Sequence, residues 1–79
     1  MARVLLFGRL SDLAGWRERE LDSLSIASLR ALLATEDAAL GEALRGPGVQ
    51  VALDQAIVRG DAALTPRSEV AFLPPMSGG

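Results

Sequence analysis

Val4-Leu5-Leu6-Phe7 is apolar at every position. Successive side chains of an extended strand point to opposite faces, so this run offers no polar face to water. It predicts a strand from Arg3 to Gly8 that is buried on both sides. A chain of 79 residues buries only about 60–65% of its unfolded surface, so one such strand commits much of the fold. The remaining sequence has to supply a helix for one face and strands alongside.

The segments that follow can do this. Arg9 to Gly15 reads as a short connection with one helical turn, closed by Gly15 in a left-handed conformation. Trp16 to Asp22 is charged and alternating, which suits an exposed edge strand paired with the first in a hairpin. Ser25 is a good N-cap, and Leu24 and Leu29 have the spacing of a hydrophobic staple. Ile26, Leu29, Leu32 and Leu33 make an apolar stripe at helical spacing. A second, weaker helix is predicted from about Glu36 to Arg45, with Leu40 and Leu44 inward, and Gly46-Pro47-Gly48 ends it. Val49, Val51 and Leu53 share one face of the next strand. Asp54-Gln55 connects it to Ala56-Ile57-Val58-Arg59, although this pair is not a favoured two-residue hairpin turn. Leu64 is a lone apolar anchor, Thr65 to Ser68 is a turn, and Val70-Ala71-Phe72-Leu73 is the last strand. This order fits an α+β fold, with one main helix on one face of a mixed sheet and the last strand parallel to the first.

Composition removes most catalytic chemistries. The chain has no Cys, His, Lys or Tyr. Without His, no side chain has an ordinary pKa near neutrality. Without Cys there is no thiolate nucleophile, disulfide or soft metal site, and without Lys no Schiff base or P-loop lysine. A protein that is non-catalytic alone is expected, with no metal and no bound cofactor. The net charge is −2 and the eight positive charges, all Arg, are scattered. Nucleic-acid binding is therefore not expected. No apolar run approaches the roughly 20 residues of a membrane span. The first residues hold too short an apolar stretch for a secretory signal, so a soluble cytoplasmic protein is expected.

The sequence closes on Glu69-Val70-Ala71-Phe72-Leu73-Pro74-Pro75-Met76-Ser77-Gly78-Gly79. The two prolines donate no backbone hydrogen bond and hold φ near −65°, so the sheet stops there. They divide the chain into a domain, residues 1–73, and an extended, flexible Gly-Gly tail, residues 74–79. At full extension six residues reach roughly 20 Å, enough to enter another protein's active site. Gly78 and Gly79 carry no side chains, so a tunnel can enclose their backbone closely. A terminal carboxylate, with its pKa near 3.5, is ionised at neutral pH and a poor electrophile. It needs activation, for example as an acyl-adenylate.

The tail resembles the C-terminal signature of the small subunit of molybdopterin synthase, the MoaD family. Val4-Leu5-Leu6-Phe7-Gly8-Arg9-Leu10 with Leu13-Ala14-Gly15 resembles that family's first strand and loop, and Val51-Ala52-Leu53-Asp54-Gln55 its central segment. The resemblance implies a ubiquitin-like β-grasp fold and a sulfur carrier. It implies that a MoeB-like adenylating enzyme uses ATP to activate Gly79, and that a sulfur donor protein converts it to a thiocarboxylate. The tail would then enter the large synthase subunit, in a heterotetramer, and give its sulfur to cyclic pyranopterin monophosphate. By the same resemblance Gly79 is the acyl carrier and Gly78 a slim neck. Phe7, Ile57 and Leu73 match apolar partner contacts, with Pro74, Pro75, Met76 and Ser77 forming the stretch that a partner encloses. Three departures stand out: the turn before the last strand is Thr65-Pro66-Arg67-Ser68-Glu69 where the family usually has a Gly-Asp-type turn, Ser11 occupies a position where many relatives carry Arg, and Asp54 one where Asn is common. Sulfur delivery to thiamine or tRNA thiolation, or conjugation to proteins as a modifier, would use the same activated glycine.

Overall fold

The computed structural model describes residues 1–75. Their order is β1 (Ala2–Leu6), α1 (Arg9–Ala14), β2 (Glu18–Leu21), α2 (Ile26–Glu36), α3 (Ala38–Leu44), β3 (Gln50–Leu53), β4 (Ala56–Val58) and β5 (Glu69–Leu73). Among the described residues the strands form one sheet in the order β2-β1-β5-β3-β4. β1 pairs antiparallel with β2 and parallel with β5, in the register Val4 to Val70 and Leu6 to Phe72. β5 pairs on its other side with β3, so it is the central strand.

The two-faced apolar run is an interior strand of the sheet, but it is buried on one face only: Val4 and Leu6 are buried, whereas on the other face Leu5 is half-buried and Phe7 exposed, because none of the described helices covers that side. Ala2, Val4 and Leu6 point into the core with Val51, Val70 and Phe72. Ile26, Leu29 and Leu33 of α2 cover them and are almost completely buried, while Leu32 of the expected stripe packs only at the border. Leu40 and Leu44 of α3 and Leu10 of α1 complete this layer. Burying one such leucine contributes roughly 1.5–3 kcal/mol. The Arg30 guanidinium lies 5.6 Å from the centre of the Phe72 ring and donates to the Leu44 carbonyl at 2.8 Å. The stem of a charged residue thereby closes one border of the core. Trp16 packs partly buried against the core, and the Arg19 guanidinium lies 5.1 Å from its ring centre.

α2 begins as its sequence predicts. The Ser25 hydroxyl accepts a hydrogen bond from the Ser28 amide at 3.1 Å. The staple between Leu24 and Leu29 does not form, because Leu24 is 81% exposed while Leu29 is fully buried. A distant segment fixes the helix entry instead. The Leu64 amide donates to the Leu24 carbonyl, the Ile26 amide to the Ala62 carbonyl and the Ala27 amide to the Asp61 carboxylate. The last two bonds satisfy helix-start donors that lack intrahelical partners, and Leu24 is left pointing to solvent.

The turn at Asp54-Gln55 is a second departure. Leu53 pairs with Ala56, so the loop has two residues, and both adopt positive φ, 50° at Asp54 and 72° at Gln55. This is the backbone of a type I′ hairpin turn, which favours Asn and Gly. It is held by β5. The Asp54 amide donates to the Glu69 carbonyl at 2.8 Å, and the Glu69 amide donates to the Asp54 carboxylate at 2.9 Å.

Candidate functional site

Alternation along the strands sends one set of side chains to the sheet face opposite α2. Strand register sets Glu18, Leu5, Ala71, Ala52 and Ile57 side by side across all five strands. The same alternation carries Phe7 and Leu73 to this face, one step nearer the end at which β5 leaves the sheet. Ile57 is 51% and Phe7 46% exposed, and Leu73 is half-buried. Ala71 and Ala52 are buried between them, so small residues form the floor and larger ones the walls.

At the opposite end the face becomes polar. Arg3 bridges Glu18 at 3.2 Å and Glu69 at 3.5 Å, and Asp54 adjoins Glu69. The uncovered apolar patch thus runs from mid-sheet, at Ile57, to the tail end, at Phe7 and Leu73. A contiguous patch of this kind marks an interaction surface more often than a few scattered apolar residues do.

β5 leads directly into the tail. Pro74 is half-buried and Pro75 exposed. Both missing donors fall where the ladder ends, so the prolines terminate pairing on both sides of a central strand. Of the residues singled out in the sequence, Phe7, Leu73, Pro74 and Pro75 lie at this end of the molecule, and Ile57 lies one register row back on the edge strand β4. Met76, Ser77, Gly78 and Gly79 lie outside the described residues. Leu5, Ala52 and Ala71 are further members of the face that the sequence reading did not name. Their signal was available: Leu5 and Ala71 stand two positions from Phe7 and Leu73, the spacing of one strand face.

Hydrogen bonding to Arg19, whose guanidinium donates to Glu36 at 2.8 Å, lowers the pKa of the Glu36 carboxyl, and the same bond raises that of Arg19. This pair joins β2 to the end of α2, away from the apolar patch. Among the described residues no His, Cys, Asp or Glu cluster could hold a metal ion. No helix among them is long and apolar enough to cross a membrane.

A mixed five-stranded sheet with α2 across one face and a central last strand defines a ubiquitin-like β-grasp domain. Its backbone superposes on the solution structure of small archaeal modifier protein 1 from Methanosarcina acetivorans with a TM-score of 0.87, at 22% identity, covering 99% of this chain and 95% of that one. The crystal structure of its counterpart from Haloferax volcanii gives a TM-score of 0.85 at 23% identity, with 99% and 98% covered. In sequence, the ThiS family model matches residues 4–79. The molybdopterin synthase sulfur carrier subunit of Escherichia coli is 33% identical over 81 aligned residues, spanning all of both chains. The chain belongs to the ThiS family of small sulfur carriers.

Proposed function

We propose that this protein carries sulfur as a thiocarboxylate on Gly79 and delivers it in the synthesis of molybdopterin from cyclic pyranopterin monophosphate. The observation that carries the reading is the junction of the two features above. The central strand runs past an uncovered apolar patch and straight into a double proline, so a partner that covers Phe7, Ile57 and Leu73 also receives the tail. The full-length likeness to a molybdopterin synthase sulfur carrier subunit supports this pathway over other sulfur deliveries.

The chemistry suits the residues present. An adenylating enzyme joins the Gly79 carboxylate to AMP from ATP and releases pyrophosphate. A persulfide on the donor protein then displaces AMP to form an acyl disulfide, and a second thiol attacks the donor sulfur, forming a disulfide and releasing the thiocarboxylate. With no Cys in the chain, no internal thiol intercepts the activated acyl group, and with no Lys, no side-chain amine traps it. Inside the large synthase subunit the thiocarboxylate gives up its sulfur, and water restores the carboxylate. The domain itself supplies binding and delivery, and the catalytic groups belong to its partners.

Intact-mass measurement tests this. After incubation with ATP, the adenylating enzyme and a sulfur donor from the same organism, the chain gains the mass difference between sulfur and oxygen. The charged protein, added to the large subunit and cyclic pyranopterin monophosphate, yields molybdopterin. An unchanged mass with active partners overturns the reading. Charging without molybdopterin formation moves the carrier to another pathway, and isopeptide-linked adducts on other proteins identify a modifier.

A further inference from the structure

The geometry points to Gly8 and Gly48 as a collar that sets the direction in which the prolines carry the tail away from the sheet. This rests on the carrier reading above, in which the tail is the working part. β5 lies between β1 and β3, and the two glycines are its flanking neighbours at the exit. Extending the register from Leu6–Phe72 sets Gly8 beside Pro74, and extending it from Gln50–Leu73 sets Gly48 beside Pro75.

The close approaches agree with that register. A methyl group on Gly48 would come within 2.7 Å of the Pro75 Cβ and 3.5 Å of its Cα. One on Gly8 would come within 3.1 Å of the Pro74 Cγ. Both glycines hold positive φ, 56° at Gly8 and 86° at Gly48, a region in which side chains are strained. The Gly48 backbone therefore approaches Pro75 more closely than a residue with a side chain allows, and at Gly8 the Pro74 ring would have to give by a few tenths of an ångström. A proline ring cannot rotate away from such an approach, because its φ is fixed.

The prolines also wall a largely apolar cleft with Leu10, Leu13, Ala43 and the residues flanking Gly48, Pro47 and Val49. A new methyl at Gly48 thus has a hollow into which the stalk can yield, so the domain folds and the exit direction changes. A stalk that points correctly for only a fraction of the time raises the apparent dissociation constant by the inverse of that fraction. It leaves the chemistry of the bound complex unaltered. Gly8 and Gly48 are accordingly positioning residues that act through Pro74 and Pro75.

Gly60 supplies the control. Its φ is 79°, close to that of Gly48, but nothing lies within 4 Å of an added methyl. Gly48→Ala and Gly60→Ala thus bear a similar backbone strain, and only the first touches the stalk. In ATP–pyrophosphate exchange with the source organism's adenylating enzyme, Gly48→Ala raises the KM for this chain by about tenfold and leaves kcat within about twofold. Gly60→Ala leaves both unchanged. In a Pro75→Gly background, which removes the Cβ that the new methyl meets, Gly48→Ala has no further effect on KM, as a coupling through that meeting point requires.

A nitroxide on Ser77→Cys, the single thiol in the chain, reports the direction without any partner. Its broadening of backbone amide signals is redistributed over the domain by Gly48→Ala and not by Gly60→Ala. Equal KM values for the two alanine variants, a Gly48→Ala effect that persists in Pro75→Gly, or an unaltered broadening pattern each overturns the collar. If the unsubstituted chain is not adenylated, the carrier reading fails, and the nitroxide pattern still decides the collar.

Discussion

Gly41 of α3 lies so close to Ala34 of α2 that a methyl group on Gly41 would come within 2.5 Å of the Ala34 Cβ and 2.7 Å of its Cα. Glycine in a helix interior costs roughly 1 kcal/mol relative to alanine, so Gly41→Ala would stabilise an isolated helix. Here the obstacle includes backbone, which cannot rotate aside, and overpacking costs typically 1–3 kcal/mol. The second effect wins. Gly41→Ala is expected to lower stability by up to about 2 kcal/mol in urea unfolding, after the helical gain is subtracted. In an Ala34→Gly background the loss shrinks and does not vanish, because the α2 backbone still stands in the way of the new methyl.

The hairpin turn offers the opposite sign. Gln55 holds φ at 72°, and a left-handed conformation costs a residue with a side chain roughly 1–2 kcal/mol. Glycine removes that strain and adds unfolded-chain entropy worth about 0.4–1 kcal/mol. Gln55→Gly is expected to stabilise the domain by roughly 0.5–1 kcal/mol net, visible as a higher Tm. Asp54→Ala goes the other way, since it removes the carboxylate that accepts the Glu69 amide.

The bridge between Arg19 and Glu36 makes stability depend on pH in a defined direction. The carboxyl pKa of Glu36 is lowered in the folded state by the Arg19 hydrogen bond. Its contribution is present above the unfolded carboxylate pKa and is lost as pH falls through the lowered folded value. The pair is solvent-exposed, so the effect is small and screened by salt. Thermal unfolding of Glu36→Gln should fall slightly below the parent at neutral pH, and the two curves should converge in acid. A direct titration of the Glu36 side chain by NMR should give a midpoint below the ordinary glutamate range.

The apolar face should be separable from the fold. Ile57 is 51% exposed on the edge strand β4, so Ile57→Asp removes little core packing. It places a charge where a covering partner would have to desolvate it, which costs on the order of 2 kcal/mol or more at a central position. If the proposed function holds, affinity for the large synthase subunit, measured by titration calorimetry, is expected to fall by roughly thirtyfold or more, with Tm nearly unchanged. A matched loss of Tm and affinity would place Ile57 in the core instead.

Local pattern made much of this legible. The fully apolar Val4-Leu5-Leu6-Phe7 run required an interior strand, and the stripe through Ile26, Leu29 and Leu33 required a helix over it. Pro74-Pro75 marked the end of the sheet. What sequence did not disclose depends on partners distant along the chain. The turn at Asp54-Gln55 looks unfavourable alone, and it is held by Glu69, fifteen residues away. Leu24 has the spacing of a staple, but the 61–64 segment claims the same helix entry. Gly41 reads as a weak point in a helix, and its purpose emerges only when α2 and α3 meet. Gly8 and Gly48 sit in separate loops, and nothing local ties either of them to a proline.

Because β5 is hydrogen-bonded to β1 on one side and β3 on the other, the sheet cannot close until that segment has been synthesised. During translation the N-terminal hairpin and α2 emerge first and wait for a strand made more than thirty residues after α2 ends. A chain cut short before β5 has no middle to its sheet and exposes its apolar core to proteolysis.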